Sequence, residues 1–507
     1  MDVEDFKAKP ALQHGGKLFV MDSYVPNNIT YPKSLKRMES LRLMYKIGYG
    51  PSSSHTMGPR FASERFAAHF PERQYFCTLY GSLAQTGRGH LTDAAIADVL
   101  KGCQFTWLPT QELPRHTNGM LLEARDEAGN VVGRELYYSI GGGSIEPGNL
   151  EDLKKAKTIG ESSVQEANAG AAEIAQPTAP SAESPYKDFL LFSDIRKWCK
   201  EHDENLHEFV YRFDEPTIKE HLGNVWNAMK EAVERGLSKI TPIEASRHLH
   251  YPRKAHAYYA RARQIESMYE GKTMPERMCA LHKNLLLLAY TLAVSEENGS
   301  AGGNVVTAPT CGACGVVPGC MYYYYSELDV PDDVIVDALA TGGIIGTVAK
   351  CNGSVSGAEA GCQAEIGVGS SMAAAAICYL LHYLDVRSGK PALTPAALVE
   401  CAEVAATASL QHALGMTCDP VMGIVVEPCI ERNGAFAQRA HHAAELALAG
   451  AHDNLLSWDE VIHTMLVTGH DIPFELRESS QGGLAHFYCL DDITDGAMVR
   501  STGPLST

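Results

Sequence analysis

Three cysteines stand in short stretches that are poor helix formers and rich in glycine, proline or acidic residues: Cys362, Cys418 and Cys429. Three loop thiolates are one short of the four that hold an ordinary iron–sulfur cluster. An iron that lacks a protein ligand is a Lewis acid and can bind a substrate hydroxyl. The alternative is that each cysteine is a small buried hydrophobe, as most cysteines are. Spacing alone leaves both interpretations open, but the first would define a class of reaction.

A further pair, Cys311 and Cys314, forms a C-x-x-C in a glycine-containing stretch at residues 309–315. Such a pair can serve redox chemistry or bind a metal. A zinc site would need a second pair at similar spacing, and the sequence has none. The sequence therefore leaves this pair unassigned.

The cysteine trio depends on helices that the second half of the chain predicts clearly. Thr394 as N-cap, Pro395 at the first helical position and Gly415 beyond the end predict one helix with an alanine-rich body. Apolar segments at residues 372–384 and 434–448 predict two more. Each trio cysteine then lies near a helix end, where free backbone N–H groups can donate to sulfur and offset a cluster's negative charge.

The order of these elements predicts a multidomain α+β protein, in which a small α+β domain precedes a larger all-helical domain that carries the trio. A helix is expected near residues 60–69, with strands at 74–80 and 131–139. Between the domains, alanine, proline, serine and glutamate dominate, and such a composition predicts a linker. The expected parts are an N-terminal extension (1–35), the α+β domain (36–158), the linker (159–187), the all-helical domain (188–490) and a C-terminal tail (491–507).

Composition narrows the classes of function. The 507 residues are 45% hydrophobic and 21% charged, and the net charge of −18 leaves no basic surplus for nucleic acid. No run reaches the roughly 18–20 apolar residues that a membrane helix needs, and the acidic first residues do not resemble a signal peptide. The 14 cysteines are then expected to be reduced thiols of a soluble cytoplasmic protein that binds no membrane.

The segment Gly-Pro-Ser-Ser-Ser-His-Thr-Met-Gly-Pro at residues 50–59 strongly resembles the opening motif of the iron–sulfur-dependent L-serine dehydratases (L-serine ammonia-lyases), in their single-chain form. Further segments resemble the motifs of this family and follow in the family's order. They are residues 80–83, 86–93, 137–143, 296–298, 305–310, 356–367, 417–420, 428–433, 477–479 and 482–485. The resemblance covers residues 38–489.

This resemblance implies a 4Fe–4S cluster held by Cys362, Cys418 and Cys429, and a homodimer. Two departures bear on the fourth ligand. Cys311 stands where the family's Thr-Asn-Gly-Ala loop has asparagine, and a thiol there could approach the cluster. Cys489 lies where many relatives end near a cysteine, but eighteen residues follow it here. The sequence leaves open whether water, Cys311 or Cys489 takes the fourth position at rest.

The implied reaction eliminates water from L-serine, a small amino-acid substrate, and gives pyruvate and ammonia. It needs a base within reach of the α-proton. We predict His55 as this base, because an imidazole titrates near neutrality. The neighbouring hydroxyls of Ser52, Ser53 and Ser54 suit the substrate carboxylate. The alternative is that His55 is a structural turn histidine.

Other polar residues in the motifs have two interpretations each. His90 is a second candidate, for contact with the substrate or for the domain interface. Thr307 and Thr310 either position the substrate or pack their loop. Glu365 and Asp419 follow trio cysteines, and they are either acceptors beside the ligands or charges at helix ends.

Competing functions stay open at this level. The same scaffold would serve an L-cysteine desulfidase that releases sulfide, or an L-threonine dehydratase. A protein of another class, a non-catalytic serine or redox sensor, would bind serine in its first domain and report oxygen or iron through the cluster. A zinc or pyridoxal phosphate enzyme is a weaker alternative, and no convincing lysine motif supports the latter.

Overall fold

The structure is a computed structural model that describes residues 38–158, 184–246, 249–300, 303–450, 455–479 and 481–487. The predicted N-terminal extension, most of the predicted linker, Cys489 and the C-terminal tail lie outside the described residues. The end of the predicted linker is packed: Tyr186 is buried, and its hydroxyl donates to Asp214 at 2.7 Å.

The first part of the chain is an α+β unit. Its described strands are β1 (Ile47–Tyr49), β2 (Gln74–Tyr80), β3 (Gln104–Leu108), β4 (Gln111–Glu112), β5 (Gly119–Arg125), β6 (Val131–Ser139), β7 (Ile145–Pro147) and β8 (Lys157–Thr158), and its described helices are α1 (Gly58–His69), α2 (Gly81–Thr86) and α3 (Thr92–Val99). The main sheet has the order β3-β2-β5-β6-β7. The β2–β3 pair is parallel, and the other pairs in this sheet are antiparallel. The predicted helix and both predicted strands of this unit are confirmed.

The alternation of side chains explains why residues 74–80 form a strand. Tyr75, Cys77 and Leu79 are buried, whereas Gln74 is exposed. Successive side chains of a strand point to opposite faces of the sheet. The buried set therefore covers one face, where it joins Phe66 of α1 in a hydrophobic cluster.

The second part is predominantly helical, as predicted. Its described helices are α4 (Phe192–His202), α5 (Leu206–Phe213), α6 (Ile218–Ser238), α7 (Ala255–Met268), α8 (Glu276–Gly299), α9 (Val316–Leu328), α10 (Asp332–Asn352), α11 (Gly357–Ala360), α12 (Val368–Arg387), α13 (Pro395–Gln411), α14 (Cys429–Leu448) and α15 (Trp458–Asp471). Three short strands accompany them: β9 (Ile243–Ser246), β10 (Leu249–Tyr251) and β11 (Asn304–Val306). Strands β9 and β10 pair with each other.

Two helices show how the local sequence builds this part. Helix α13 begins as predicted, because the Thr394 hydroxyl accepts the N–H of Ala397 at 3.3 Å and Pro395 opens the first turn. Helix α12 lies in the core, and its first eleven residues are all buried. Four consecutive alanines at 373–376 keep this helix thin, so that α10, α13 and α14 pack closely against it.

The two parts meet through strand pairing and through glycines. Strand β1 of the first part pairs antiparallel with β11 of the second. At Gly89 the two backbones approach so closely that an added Cβ would lie 2.7 Å from the carbonyl oxygen of Gly423. A side chain at position 89 would push the loops apart. The candidate site lies at this junction.

Among the described residues, three helical segments are long and apolar enough to cross a membrane by length and composition alone: Glu276–Gly299, Asp332–Asn352 and Gln363–Arg387. The expectation that no segment has this character is therefore wrong. In the structure, 83% of the apolar window in each of the last two, and 50% in the first, is buried inside the protein. Much of this apolar surface is thus covered by the chain's own core.

Candidate active site

Two of the three predicted ligand cysteines lie at helix starts, and the third lies in the segment between two helices. Cys362 precedes a π-helical turn (Gln363–Gly367) that leads into α12, Cys418 lies between α13 and α14, and Cys429 is the first residue of α14. Burial raises the pKa of all three thiols, that of Cys362 to about 11. After burial, the charges of Glu365 and Glu478 and those of the other two thiols raise the pKa of Cys418 further, so the three thiols lie near one another.

Arg432 places a cation beside the trio. It lies one turn into α14, and its guanidinium donates to the carbonyl of Thr417 at 2.8 Å and to Asp419 at 3.3 Å. Burial works against its charge, but the charges of Cys362 and Cys429 hold the pKa of Arg432 above its ordinary value. A fixed positive charge offsets the negative charge of thiolates in a buried site. Three soft donors with a cation beside them fit an iron–sulfur cluster.

Glu365 adds a carboxyl to the thiol site. Its Oε2 lies 3.6 Å from the Sγ of Cys418, and Thr310 hydrogen-bonds to the same carboxyl group. Burial raises the pKa of Glu365. Gly357 makes room here, since an added Cβ would lie 2.7 Å from the Glu365 carboxylate and 3.0 Å from Cys418 Sγ. Cys311 is buried close enough to Glu365 for the carboxylate charge to raise its thiol pKa.

His55 is held by a second π-helical turn, Ser53–Met57, which precedes α1. The Ser52 hydroxyl starts this turn by accepting the backbone N–H of His55 at 3.0 Å. The Thr92 hydroxyl donates to the His55 carbonyl oxygen at 2.5 Å. Both bonds fix the backbone, so the imidazole points inward and is fully buried. The side chains of Ser53 and Ser54 are buried beside it.

The hydrogen bonds of Ser82 fix the tautomer of His55. The Ser82 hydroxyl donates its one proton to the carbonyl oxygen of Glu478 at 2.9 Å. Its oxygen, 3.1 Å from His55 Nε2, must therefore accept the Nε2–H. Nδ1 is then an unprotonated lone pair. Burial lowers the pKa of His55 to about 3, although the Ser82 backbone carbonyl acts in the opposite direction. The imidazole ring is therefore neutral.

His90 is fixed in the same way one helix turn after Thr86. The Thr86 hydroxyl donates to the Ser82 carbonyl at 3.1 Å, so its oxygen accepts Nδ1–H of His90 at 3.2 Å. The lone pair of His90 is thus on Nε2. The two imidazole rings lie 4.6 Å apart between centroids, and burial, followed by the charge of His55, lowers the pKa of His90 well below its ordinary value.

Glu478 joins the histidines to the thiol site. Its Oε1 lies 3.4 Å from Nδ1 of His55. Its backbone N–H donates to the carbonyl of Cys418 at 2.6 Å, and the N–H of Cys418 donates to Leu476 at 2.8 Å. Glu478 also has a left-handed backbone, with φ of 56°, which is strained for a residue with a side chain. Strain of this kind is typical of functional sites.

The two threonines from the predicted site differ. Thr310 hydrogen-bonds to Glu365 and so lies at the thiol site. The Thr307 hydroxyl instead donates to the carbonyl of Met44 at 2.8 Å and accepts the N–H of Lys46 at 2.9 Å, which places it at the β1–β11 pairing. Asp419 accepts the backbone N–H of Leu484 at 2.8 Å and thus holds a loop. Their roles toward a substrate stay predictions.

Sequence reasoning assigned no role to three residues that the geometry makes prominent: Ser82, Arg432 and Glu478. Each lies in a segment that resembles a family motif, but none has a residue type or spacing that indicates its contact. The junction therefore contains two neutral histidines from the α+β part, and three thiols, an arginine and two carboxyls from the helical part. Buried histidines beside thiols and carboxyls whose pKa values are shifted are typical of a catalytic centre.

Comparisons with known proteins identify the family. The family model described as "Serine dehydratase alpha chain" matches residues 149–485, and the model described as "Serine dehydratase beta chain" matches residues 40–113 and 103–149. The chain belongs to the serine dehydratase family and carries both parts in one polypeptide. The resemblance inferred from the motifs is confirmed.

Named relatives cover nearly the whole chain. The L-serine dehydratase of Haemophilus influenzae is 34% identical over 87% of this chain and 97% of its own length. L-serine dehydratase 2 of Escherichia coli is 34% identical over 87% of this chain and 97% of its own. The L-serine dehydratase of Helicobacter pylori is 34% identical over 88% of this chain and 98% of its own length. These relatives are named as dehydratases, which are lyases.

Proposed function

We propose that this protein is an L-serine dehydratase, which eliminates water from L-serine and yields pyruvate and ammonia. The observation that carries the proposal is the backbone pairing of Cys418 with Glu478, because the side chain of Glu478 reaches His55. The Glu478 N–H that donates to Cys418 and the Glu478 carboxyl beside Nδ1 of His55 thus support a connection between the thiols and a neutral imidazole. The names of the relatives support the choice of L-serine.

Cys362, Cys418 and Cys429 would hold a 4Fe–4S cluster. The burial of Cys362 and Cys418, the effect of the other two thiols on the pKa of Cys418, and the cation of Arg432 support this assignment. When bound, such a cluster supplies an iron with Lewis acidity toward the substrate hydroxyl. The occupant of its fourth position at rest stays open between water, Cys311 and Cys489, and the last of these lies outside the described residues.

His55 is the base of the proposed reaction. Its Nδ1 lone pair takes the α-proton of L-serine, because the Ser82 contact keeps the proton of the ring on Nε2. The electron pair of the C–H bond becomes the Cα–Cβ double bond as hydroxide leaves Cβ, and the proton taken up by His55 passes to this hydroxide to give water and the neutral imidazole. The resulting enamine tautomerises to an imine, and water hydrolyses the imine to pyruvate and ammonia.

The neighbouring residues orient the substrate. Ser53, Ser54 and His90 are assigned to the α-amino and carboxylate groups of the substrate, because both serines are buried in the turn that carries His55 and the His90 ring lies 4.6 Å from the His55 ring. Ser52 acts through the turn, since its hydroxyl accepts the N–H of His55. Thr310 acts through Glu365, which it hydrogen-bonds.

The substrate assay tests this proposal. Protein reconstituted anaerobically with iron and sulfide is expected to release pyruvate from L-serine faster than it releases 2-oxobutyrate from L-threonine or pyruvate from L-cysteine. Faster release of sulfide from L-cysteine would favour the desulfidase. Binding of L-serine without pyruvate, at full iron content, would overturn the proposal in favour of a sensor. A mass measurement in solution tests the predicted homodimer.

The Ser82→Ala variant tests the control of the tautomer. Loss of this hydroxyl frees the imidazole to carry its proton on Nδ1, so kcat with L-serine is expected to fall by roughly 10²-fold, the cost of misplacing a catalytic group. The matched control is Ser63→Ala, which removes another buried hydroxyl of the same part, one that donates to the carbonyl of Pro59 at 2.8 Å. Equal kcat in the two variants would contradict a positioning role for Ser82.

A further inference from the structure

Two nitrogen lone pairs and a carboxylate converge at the junction. Nδ1 of His55 and Nε2 of His90 have no hydrogen-bond partner among the described residues, and the same is true of Oε2 of Glu478. One ligand atom from each of these three residues lies within 4.8 Å of the others. All three side chains are more than nine-tenths buried.

The three residues carry too few protons to give each imidazole lone pair a hydrogen-bond donor. Ser82 and Thr86 hold the ring protons of both histidines on the outer nitrogens, so both inner nitrogens can only accept. A carboxylic acid at Glu478 carries one proton and can satisfy one of the two lone pairs. The other lone pair then has no partner among the described residues and is free to bind a ligand.

We propose that His55, His90 and Glu478 form a binding site for a divalent transition-metal cation such as Zn²⁺, separate from the thiol site. Two neutral imidazoles and a carboxylate are a common ligand set for such ions. The outer contacts to Ser82 and Thr86 are the second-sphere bonds that fix the orientation of metal-binding histidines.

The donor atoms separate this site from the neighbouring thiols. Nitrogen and oxygen ligands suit Zn²⁺, Fe²⁺ or Mn²⁺, whereas three thiolates favour softer ions and clusters. Three protein ligands also leave a position for water or a substrate oxygen. If His55 is the base, as proposed above, a cation on its Nδ1 occupies the catalytic lone pair, so Zn²⁺ inhibits turnover and a chelator restores it.

Zinc binding to the full-length protein, with its iron–sulfur content reconstituted, tests the inference. Equilibrium dialysis is expected to show one Zn²⁺ per chain in the wild type. The extended X-ray absorption fine structure of zinc is expected to show a shell of nitrogen and oxygen ligands at about 2.0–2.1 Å and no sulfur shell at about 2.3 Å. A sulfur shell, or no bound zinc, would overturn the proposal.

Three variants locate the site. His90→Gln and Glu478→Gln are each expected to weaken zinc binding at least tenfold, and they change different segments of the backbone. The matched control is His69→Gln, because the Nδ1 of His69 lies 2.8 Å from Glu135 on the exposed surface. Circular dichroism confirms that each variant is folded. Wild-type affinity in both site variants would overturn the proposal.

Pyruvate release from L-serine in zinc-free protein separates this inference from the proposed function. If zinc binds through nitrogen and oxygen but the protein does not turn over L-serine, the cation site is supported and the dehydratase function is contradicted. Normal turnover without zinc binding removes the cation site alone.

Discussion

Replacing Cys418 with alanine is expected to abolish turnover of L-serine and to lower the bound iron well below four atoms per chain. After burial, two carboxylates and both other thiols raise the thiol pKa of Cys418, so this cysteine lies near all four groups. Loss of Lewis-acid assistance removes several kcal/mol of transition-state stabilisation. A loss of about 4 kcal/mol corresponds to about 10³-fold in kcat. The measurement is pyruvate release with iron and sulfide counting, all under anaerobic conditions.

The matched control is Cys320→Ala. Cys320 is fully buried, and Cys362 and Cys418 are nearly so, but the Sγ of Cys320 lies 3.9 Å from the carbonyl of Ala437 on α14. This variant is expected to keep its iron and its turnover. Iron and kcat at wild-type levels in Cys418→Ala would contradict the ligand assignment. An equal loss of iron and turnover in Cys320→Ala would mean that both substitutions act by disturbing the fold.

Local signals predicted much of the fold. Residues 74–80 and 131–139 form strands at the predicted bounds, because alternation and turn residues act within a few positions. The N-cap residue Thr394 likewise predicted where α13 begins. The pairing of β1 with β11 could not be predicted in this way, since each strand is only three residues long and its partner is far away in the chain.

The same division holds for the site. Cysteines near helix ends and a histidine among serines are rare enough to attract attention by residue type. Glu478 is an ordinary glutamate in the sequence, and its backbone meets the Ser82 hydroxyl across 396 positions of chain. Its importance comes from the fold, which pairs it with Cys418 and turns its carboxyl toward His55. The tautomers of both histidines likewise follow only from the contacts with the hydroxyls of Ser82 and Thr86.

The His55→Gln variant is expected to lose turnover while it keeps the cluster. Glutamine can still donate from its side-chain amide to Ser82, but it has no basic lone pair for the α-proton. General-base catalysis contributes about 10²–10⁴-fold, so kcat should fall by that factor while KM changes little. Iron content and the melting temperature should match the wild type. The control is again His69→Gln on the exposed surface.

The exchange of the α-proton decides between a base and a structural turn histidine. If His55 is the base, wild-type protein transfers α-deuterium from labelled L-serine to solvent, and His55→Gln loses this exchange together with kcat. If His55 holds only the turn, the variant should lose iron and thermal stability with its activity, because the Ser53–Met57 turn packs against the Thr92 hydroxyl. Near-normal turnover in His55→Gln would contradict both roles. The Nε2 lone pair of His90, on a ring 4.6 Å away, would then be the remaining base at this junction.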